Sequence, residues 1–346
     1  MNKKYTIKDI AQLAGVSKGT VDRVLHNRGK VSPKALDSIN AVLNEIDYEP
    51  NLIARNLKNN KIYTISVVLP DPAYDSYWKP CIKGIQDAIK EFKAFNLSIK
   101  AHYFNPEDTN SFIDINENVL QLKPDAVLLA PLFFHEALTA IENYNKQGTL
   151  VNAFNNQVPS EEIRNFVGQN LYQSGRVAAK LMEVITQNGQ IAIIHIDEKF
   201  KNAIHMQEKE KGFRNYFLEN KKSDQDITTL KLKKSTYEIK FTAFLKENPN
   251  LSGIFITTSK AYQVARIINE TNNNKISIIG YDLLEDNINY LNKGTIDFLI
   301  NQNPKQQVYL GICSLVDHFI FGKNITPETL LPIDIVNSEN ASYYME

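Results

Sequence analysis

Residues 6–25 read Thr6-Ile-Lys-Asp-Ile-Ala-Gln-Leu-Ala-Gly15-Val-Ser17-Lys-Gly-Thr20-Val-Asp-Arg23-Val-Leu25, two short helical segments broken by a glycine. Thr6 with Asp9 three residues on has the spacing of a capping box, in which each side chain answers a free backbone N–H at the start of the first helix. Gly15 ends that helix, and Ser17 is placed to cap the second. Val21, Val24 and Leu25 give the second helix one buried stripe and leave Lys18, Thr20 and Arg23 outside it. A third helix is expected after Pro33, with Ala35, Ile39, Val42, Leu43 and Ile46 inward. Three short helices around one small core, with basic and hydroxyl side chains on the second, fit a helix-turn-helix head that lays that helix in the major groove of DNA. The charge agrees: residues 1–61 carry a net +5 and the remainder a net −5, hidden in an overall balance of zero. Such a basic end supplies the salt-dependent, sequence-independent part of DNA affinity.

The order and spacing of Thr6-Ile7-x-Asp9-Ile10-Ala11, Ala14-Gly15-Val16-Ser17, Thr20-Val21-x-Arg23-Val24-Leu25, Val31-Ser32 and Tyr48-x-Pro50-Asn51-x-x-Ala54-Arg55-x-Leu57 resemble the N-terminus of the lactose-repressor (LacI) family of bacterial transcription regulators. The resemblance implies a hinge helix over Asn51 to Leu57 that forms on operator binding, with Leu57 wedging into the minor groove. It also implies DNA contacts from Thr6, Ser17, Lys18, Gly19, Thr20, Arg23, His26, Lys30, Asn51, Ala54 and Arg55. Lysine and arginine suit guanine O6 and N7. Gly19 is costly inside a helix, by about 1 kcal/mol relative to alanine, and leaves room for close backbone approach. Asp22 stands where the family commonly has serine, and His26 where it has asparagine, so half-site preference stays open.

Beyond residue 61 the period changes. Short apolar runs at 65–69, 126–130, 191–194, 253–256 and 276–280 alternate with amphipathic stretches, one carrying Ile82, Ile85, Ile89 and Phe92 and another Val308, Ile312, Leu315 and Phe319. Apolar strands separated by helices mean parallel sheets covered on both faces. About 285 residues exceed one such sheet, so two doubly wound lobes are expected, with ligand sites beyond the carboxyl ends of the strands. The fold class is therefore an all-α helix-turn-helix head plus an α/β region of two parallel-sheet lobes.

Residues 62–340 resemble the effector domains of the LacI family and periplasmic sugar-binding proteins, with landmarks at Gly84, Gly212-Phe213, Gly280-Tyr281-Asp282 and Ile300-Asn301-Gln302-Asn303-Pro304. That likeness implies a head over 1–49, a hinge and linker over 50–61, lobe one over 62–166 and 303–330, and lobe two over 167–302 and 331–346. The chain then crosses between lobes near 167, 302 and 331.

Strand ends nominate the cleft. Asp75, Tyr77 and Trp78 follow the first strand, where relatives place aromatics that stack on the apolar face of a sugar while polar neighbours take its hydroxyls. Asp282 directly follows a buried strand and is either a ligand to two adjacent hydroxyls, a helix cap, or both. Gln302 lies on a lobe crossing and Phe133 offers an apolar wall. Asn155 and Asn156 stand where sugar binders often have Asp-Arg, and Thr258 and Ser259 where they have Asn-Asp. Gln207 and Lys209 match the arginines that precede the Gly-aromatic pair. A pocket of amides and hydroxyls with little fixed charge argues against a strongly anionic ligand.

Other classes lack their signatures. No stretch approaches the roughly twenty apolar residues of a membrane span, and Met1-Asn-Lys-Lys-Tyr5 leads into a polar helix and not a signal sequence, so a cytoplasmic location is expected. Cys81 and Cys313 read as two reduced core thiols. His195 and His205 lack neighbours at metal-ligand spacing, and no metal or other cofactor is expected. A phosphate-cradling glycine loop and a nucleophile elbow are both missing, so an enzyme is not indicated. A transport-type sugar-binding protein is the alternative; it explains the lobes but not the basic head. The partners expected are near-palindromic double-stranded DNA, a small sugar-like effector and a second copy in a homodimer. The tail 340–346 lacks the leucine heptad of a tetramer.

Overall fold

The computed structural model describes residues 5–25, 29–46, 61–186, 189–196, 204–220, 226–271 and 276–345. His26, Asn51, Ala54, Arg55 and Leu57, and with them the proposed hinge helix, lie outside the described residues. The chain divides into two compact units, 1–60 and 61–346.

In the first unit, α1 (Ile7–Leu13), α2 (Lys18–Leu25) and α3 (Pro33–Glu45) enclose a small core. Ile10, Ala11, Val21 and Ile39 are buried, framed by Val24, Leu25, Val42, Leu43 and Ile46. The capping box is closed at both ends: Asp9 N donates to Thr6 Oγ1 (3.3 Å) and Thr6 N to Asp9 Oδ2 (2.8 Å). Gly15 has φ +66°, which turns the chain without steric cost, and Val16 N then donates back to Ala11 O at 3.0 Å. Thr20 N donates to Ser17 Oγ at 3.1 Å, starting α2.

The second unit holds two six-stranded sheets. One runs β11 (Glu328–Leu330), β5 (Ile163–Gly168), β4 (Leu150–Phe154), β3 (Ala126–Leu129), β1 (Tyr63–Pro70) and β2 (Leu97–Phe104), all parallel. The other runs β12 (Asp334–Val336), β10 (Phe298–Asn301), β9 (Ser277–Tyr281), β8 (Leu251–Ile256), β6 (Gln190–Ile196) and β7 (Ile227–Leu232), parallel except for β12. Central strands such as β3 and β6 are buried along almost their whole length because helices cover both faces, which is why they read as unbroken apolar runs. The chain passes between sheets after Gly168, after Asn301 and after Leu330. Gln169 ties these passages together, its Nε2 donating to Asn301 O (2.9 Å) and to Pro332 O (2.6 Å).

Two expectations about helix faces need correction. On the helix Lys79–Glu91 the inner face is Cys81, Gly84, Ile85 and Ala88, whereas Ile89 is 44% exposed. Weighing positions by apolar bulk misses it because small residues make the contact: a Cβ on Gly84 would lie 2.4 Å from Lys305 O, so the helix Pro304–Phe321 rests on bare backbone there. Cys81 is a buried thiol as expected, but Cys313 is only half-buried.

Lobe two carries a closer approach. A Cβ on Gly175 would lie 2.0 Å from Lys209 O, and one on Gly212 would lie 1.9 Å from Tyr172 O. The helices Leu171–Ile185 and Ile204–Glu219 therefore touch backbone to backbone, and the second brings Lys209 to the ends of the strands.

Candidate functional site

The head presents the side chains that its caps and core leave over. Thr6, Ser17, Lys18, Gly19, Arg23 and Lys30 are exposed and Thr20 is half-buried, while Val21, between them in sequence, is buried. Ser17 Oγ and Thr20 Oγ1 are also 2.8 Å apart, so the two hydroxyls order the first turn of α2. Gly19 has nothing closer to its missing Cβ than Ser17 Oγ at 3.8 Å, so packing within the head does not require a glycine. A basic, hydroxyl-bearing helix start with free backbone N–H groups is suited to phosphate and base edges.

In the larger unit Asp282 is the centre of a buried polar cluster. It follows β9 with φ +66°, a left-handed conformation that aspartate tolerates better than most residues, and its N donates to Ile300 O at 3.0 Å. The carboxylate, only 2% exposed, accepts from Gln302 N (3.1 Å) and Gln302 Nε2 (2.8 Å). Burial pushes the Asp282 carboxyl up to about 6, while the Lys209 ammonium and the two Gln302 donors pull it down and Asp75 pushes it further up. Lys209 is itself 1% exposed; it donates to Thr257 O at 3.0 Å and lies 3.6 Å from the centre of the Tyr281 ring. Tyr281 is fixed in turn by a 2.7 Å bond to Ser174 Oγ.

Behind Lys209 runs a network that the sequence did not announce. His195 is bonded through Nδ1 to Thr257 Oγ1 and through Nε2 to Glu210 Oε2, both at 2.7 Å. Glu210 Oε1 accepts from Arg214 Nε (2.8 Å) and Thr229 Oγ1 (2.6 Å). Burial opposes ionisation of Glu210, but the bonds from His195, Thr229 and Arg214 outweigh it and hold the carboxyl at about 2.

Lobe one supplies the facing wall. Asp75 caps the short turn Ser76–Trp78 by accepting from Tyr77 N at 3.0 Å. The Tyr77 hydroxyl accepts from Asn155 Nδ2, and Asn155, at φ +70°, is pinned by its N to Val167 O at 3.0 Å. Burial, and after it the Asp282 carboxylate, hold the Tyr77 phenol protonated well above its usual range. Trp78 is 4% exposed and packs edge-on against Tyr77 (4.9 Å) and Phe154 (6.1 Å) in the core of lobe one.

Asp75, Tyr77, Asn155, Lys209, Asp282 and Gln302 are thus brought into one constellation. Thr258 belongs to the same strand-end layer, and its buried Oγ1 has no hydrogen-bond partner among the described residues. Ser259, Asn156 and Gln207 are half-buried. Phe133 is placed elsewhere: it packs against Phe112 (5.5 Å) and Phe104 (6.2 Å) in a lobe-one core cluster. Asn287 was missed altogether. Fully buried, its Nδ2 donates to Ser259 O (2.8 Å), Tyr281 O (3.0 Å) and Asp282 O (2.9 Å), and its Oδ1 accepts from Tyr262 N (2.8 Å). Its one sequence signal is an amide beside Ile288 and Leu291 on the inner face of a helix.

Family patterns and relatives agree with this architecture. Residues 6–51 match the bacterial regulatory proteins of the lacI family, and residues 65–324 match a periplasmic binding protein domain. The NTD biosynthesis operon regulator NtdR of Bacillus subtilis is 33% identical over 127 residues, a match spanning 37% of this chain and 37% of that protein. The first curated relatives are in general matched over less than half of their length. The sucrose operon repressor of Streptococcus mutans serotype c is 25% identical over 96% of this chain and 98% of its own. A crystal structure from Bacteroides fragilis, assigned to the LacI transcriptional regulators, superposes with a TM-score of 0.75 at 30% identity and covers 82% of this chain and 100% of that one. With a matching head, a matching binding domain and a LacI-assigned structure that is 30% identical over 82% of this chain, the chain belongs to the LacI family of bacterial regulatory proteins.

Proposed function

We propose that this chain is a sequence-specific DNA-binding transcriptional repressor, cytoplasmic and homodimeric, whose affinity for a near-palindromic operator is set by a small sugar-like ligand held between the two lobes. One observation carries the reading: a single chain joins an exposed basic helix-turn-helix to a two-lobed domain in which Asp282, Lys209 and Gln302 are buried together at the strand ends. Asp282, Gln302, Asn155 and the free hydroxyl of Thr258 offer acceptors and donors to hydroxyls, and the phenol of Tyr77 stands beside Asn155 among them. In the head, Lys18 and Arg23 contact bases and phosphates, with Thr6, Ser17, Gly19, Thr20 and Lys30 around them. His26 and the segment carrying Asn51, Ala54, Arg55 and Leu57 complete the interface. A transport-type binding protein accounts for the lobes and leaves the capped basic head without a role.

Selection of duplexes from a random library by the full chain, followed by thermal-shift screening of a sugar panel, tests this. Near-palindromic sites are expected, and a sugar at 100 times its Kd adds about 2.7 kcal/mol of stability. By linkage the same sugar changes affinity for the selected duplex, and the duplex changes sugar affinity by the same factor. Failure to select any duplex overturns the DNA-binding half; a stabilising sugar that leaves DNA affinity unchanged overturns the coupling.

A further inference from the structure

Lys209 is held by a closed ring of contacts. Its Nζ donates to Thr257 O at 3.0 Å, Thr257 Oγ1 lies 2.7 Å from His195 Nδ1, and His195 Nε2 lies 2.7 Å from Glu210 Oε2. Glu210 follows Lys209 in the chain, on the helix Ile204–Glu219, so the ring returns to where it began. Three elements contribute: β6 gives His195, the end of β8 gives Thr257, and the helix gives Lys209 and Glu210. Glu210 fixes the polarity. Its carboxyl is held at about 2 and only accepts at neutral pH, so His195 Nε2 is a donor. Thr257 Oγ1 meets the other nitrogen and has a second acceptor in Ile194 O at 3.3 Å, so the ring closes whether or not Nδ1 carries a hydrogen.

A buried ammonium on a flexible four-carbon stem has no preferred place of its own, and leaving it unpaired in the interior is costly. The Thr257 carbonyl and the Tyr281 ring give Lys209 its place, and His195 and Glu210 give the Thr257 carbonyl its place in turn. Position matters, because the pull of Lys209 on Asp282 falls with separation. We propose that His195 and Glu210 are positioning residues of the Asp282 site: through Thr257 they hold the Lys209 ammonium where its charge acts on the Asp282 carboxylate, the acceptor offered to a ligand hydroxyl. The ligand part of this inference rests on the function proposed above; the coupling between His195, Lys209 and Asp282 does not. The other groups that act on Asp282 are Asp75 and Tyr77 from lobe one, Tyr281 beside it in the chain, and Gln302 with its two hydrogen bonds. None of them belongs to the ring.

Carbon-13 labelling of the aspartates in the full chain, with no sugar and no DNA present, gives the titration midpoint of Asp282 from its carboxyl resonance, assigned by its loss in Asp282→Asn. Lys209→Met sets the scale and is expected to raise that midpoint by about one pH unit or more. Thr257→Val, which keeps the carbonyl and the size of the side chain, and His195→Gln are each expected to raise it by about half a unit or more. Tyr144→Phe removes a buried hydroxyl from the core of lobe one and controls for general loosening; it is expected to leave the midpoint where it was. No rise in Lys209→Met, an unchanged midpoint in either Thr257→Val or His195→Gln, or an equal rise in Tyr144→Phe overturns the proposal. Neither sugar nor duplex takes part, so that failure leaves the proposed function standing, and failure of the chain to bind a sugar or a duplex leaves this result untouched.

Discussion

Gln302 holds Asp282 twice, by its backbone N–H at 3.1 Å and its side-chain amide at 2.8 Å, so a residue on a lobe crossing satisfies the carboxylate that terminates β9. The candidate ligand-binding group and the joint between the lobes are therefore adjacent parts of one hydrogen-bonded unit. Anything that competes for the Asp282 oxygens acts on Gln302 as well.

Asp282 imposes a pH dependence of definite sign. Its carboxyl is raised to about 6 in the folded chain, against about 3.9 when unfolded. The folded state thus holds the proton more tightly, and this contribution is fully present below about pH 4 and lost as the pH rises through 6. It amounts to about 2–3 kcal/mol by the linkage relation. Urea unfolding of parent and Asp282→Asn between pH 4 and 7 checks it: the parent loses stability relative to the variant over that interval, and parallel curves contradict the assignment.

Glu210 runs the other way. Its carboxyl is held at about 2 by His195, Thr229 and Arg214 against the cost of burial, so its stabilisation is present above about pH 4.5 and disappears as the pH falls toward 2. Glu210→Gln keeps the shape but weakens charge-assisted bonds, and it is expected to cost about 2–3 kcal/mol at neutral pH. The difference between variant and parent should shrink in acid, as measured by chemical denaturation at pH 7 and pH 3.

Gly175→Ala drives a methyl group into the backbone of Lys209, 2.0 Å from its carbonyl oxygen. Neither side of that contact is a flexible side chain, so the two helices must separate. A loss of about 1–3 kcal/mol is expected, together with displacement of Lys209 from Tyr281 and Thr257. Thermal denaturation reads the first effect, and the near-ultraviolet dichroism of the tyrosines reads the second. Exposed Gly294, at φ +72° with open space around it, is a control in which any loss comes from backbone strain alone.

Trp78 is the single tryptophan of the chain and is 4% exposed. Its emission is expected to be blue-shifted relative to free tryptophan and almost insensitive to iodide. A red-shifted, readily quenched spectrum would show that the indole faces solvent between the lobes and not the side chains of Tyr77 and Phe154.

Much of this was legible in the sequence because it rests on local chemistry. The Thr6–Asp9 box, the Ser17 cap and the Gly15 turn are fixed by neighbours three or four residues apart, and each appears in the structure where its spacing put it. The buried strands of the two sheets were likewise readable, since burial on both faces writes itself as unbroken apolar runs. Legibility stops where a contact joins distant segments through a polar or a small residue. Asn287 reaches three carbonyls on two other loops, Gln169 bridges residues more than 130 positions away, and His195 finds Glu210 on a following helix. Nothing in a linear pattern separates such an amide or imidazole from a solvated one. Phe133 shows the converse, because a strand-end aromatic looks the same in sequence whether it faces a ligand or, as here, two phenylalanines of its own core.

The Gln169 amide makes the three passages of chain between the lobes a single joint. Bonded to Asn301 and Pro332 at once, it couples the straps, so a bend in one is felt by the others. A ligand in the space between the lobes then acts on all three passages together and not on one strap alone.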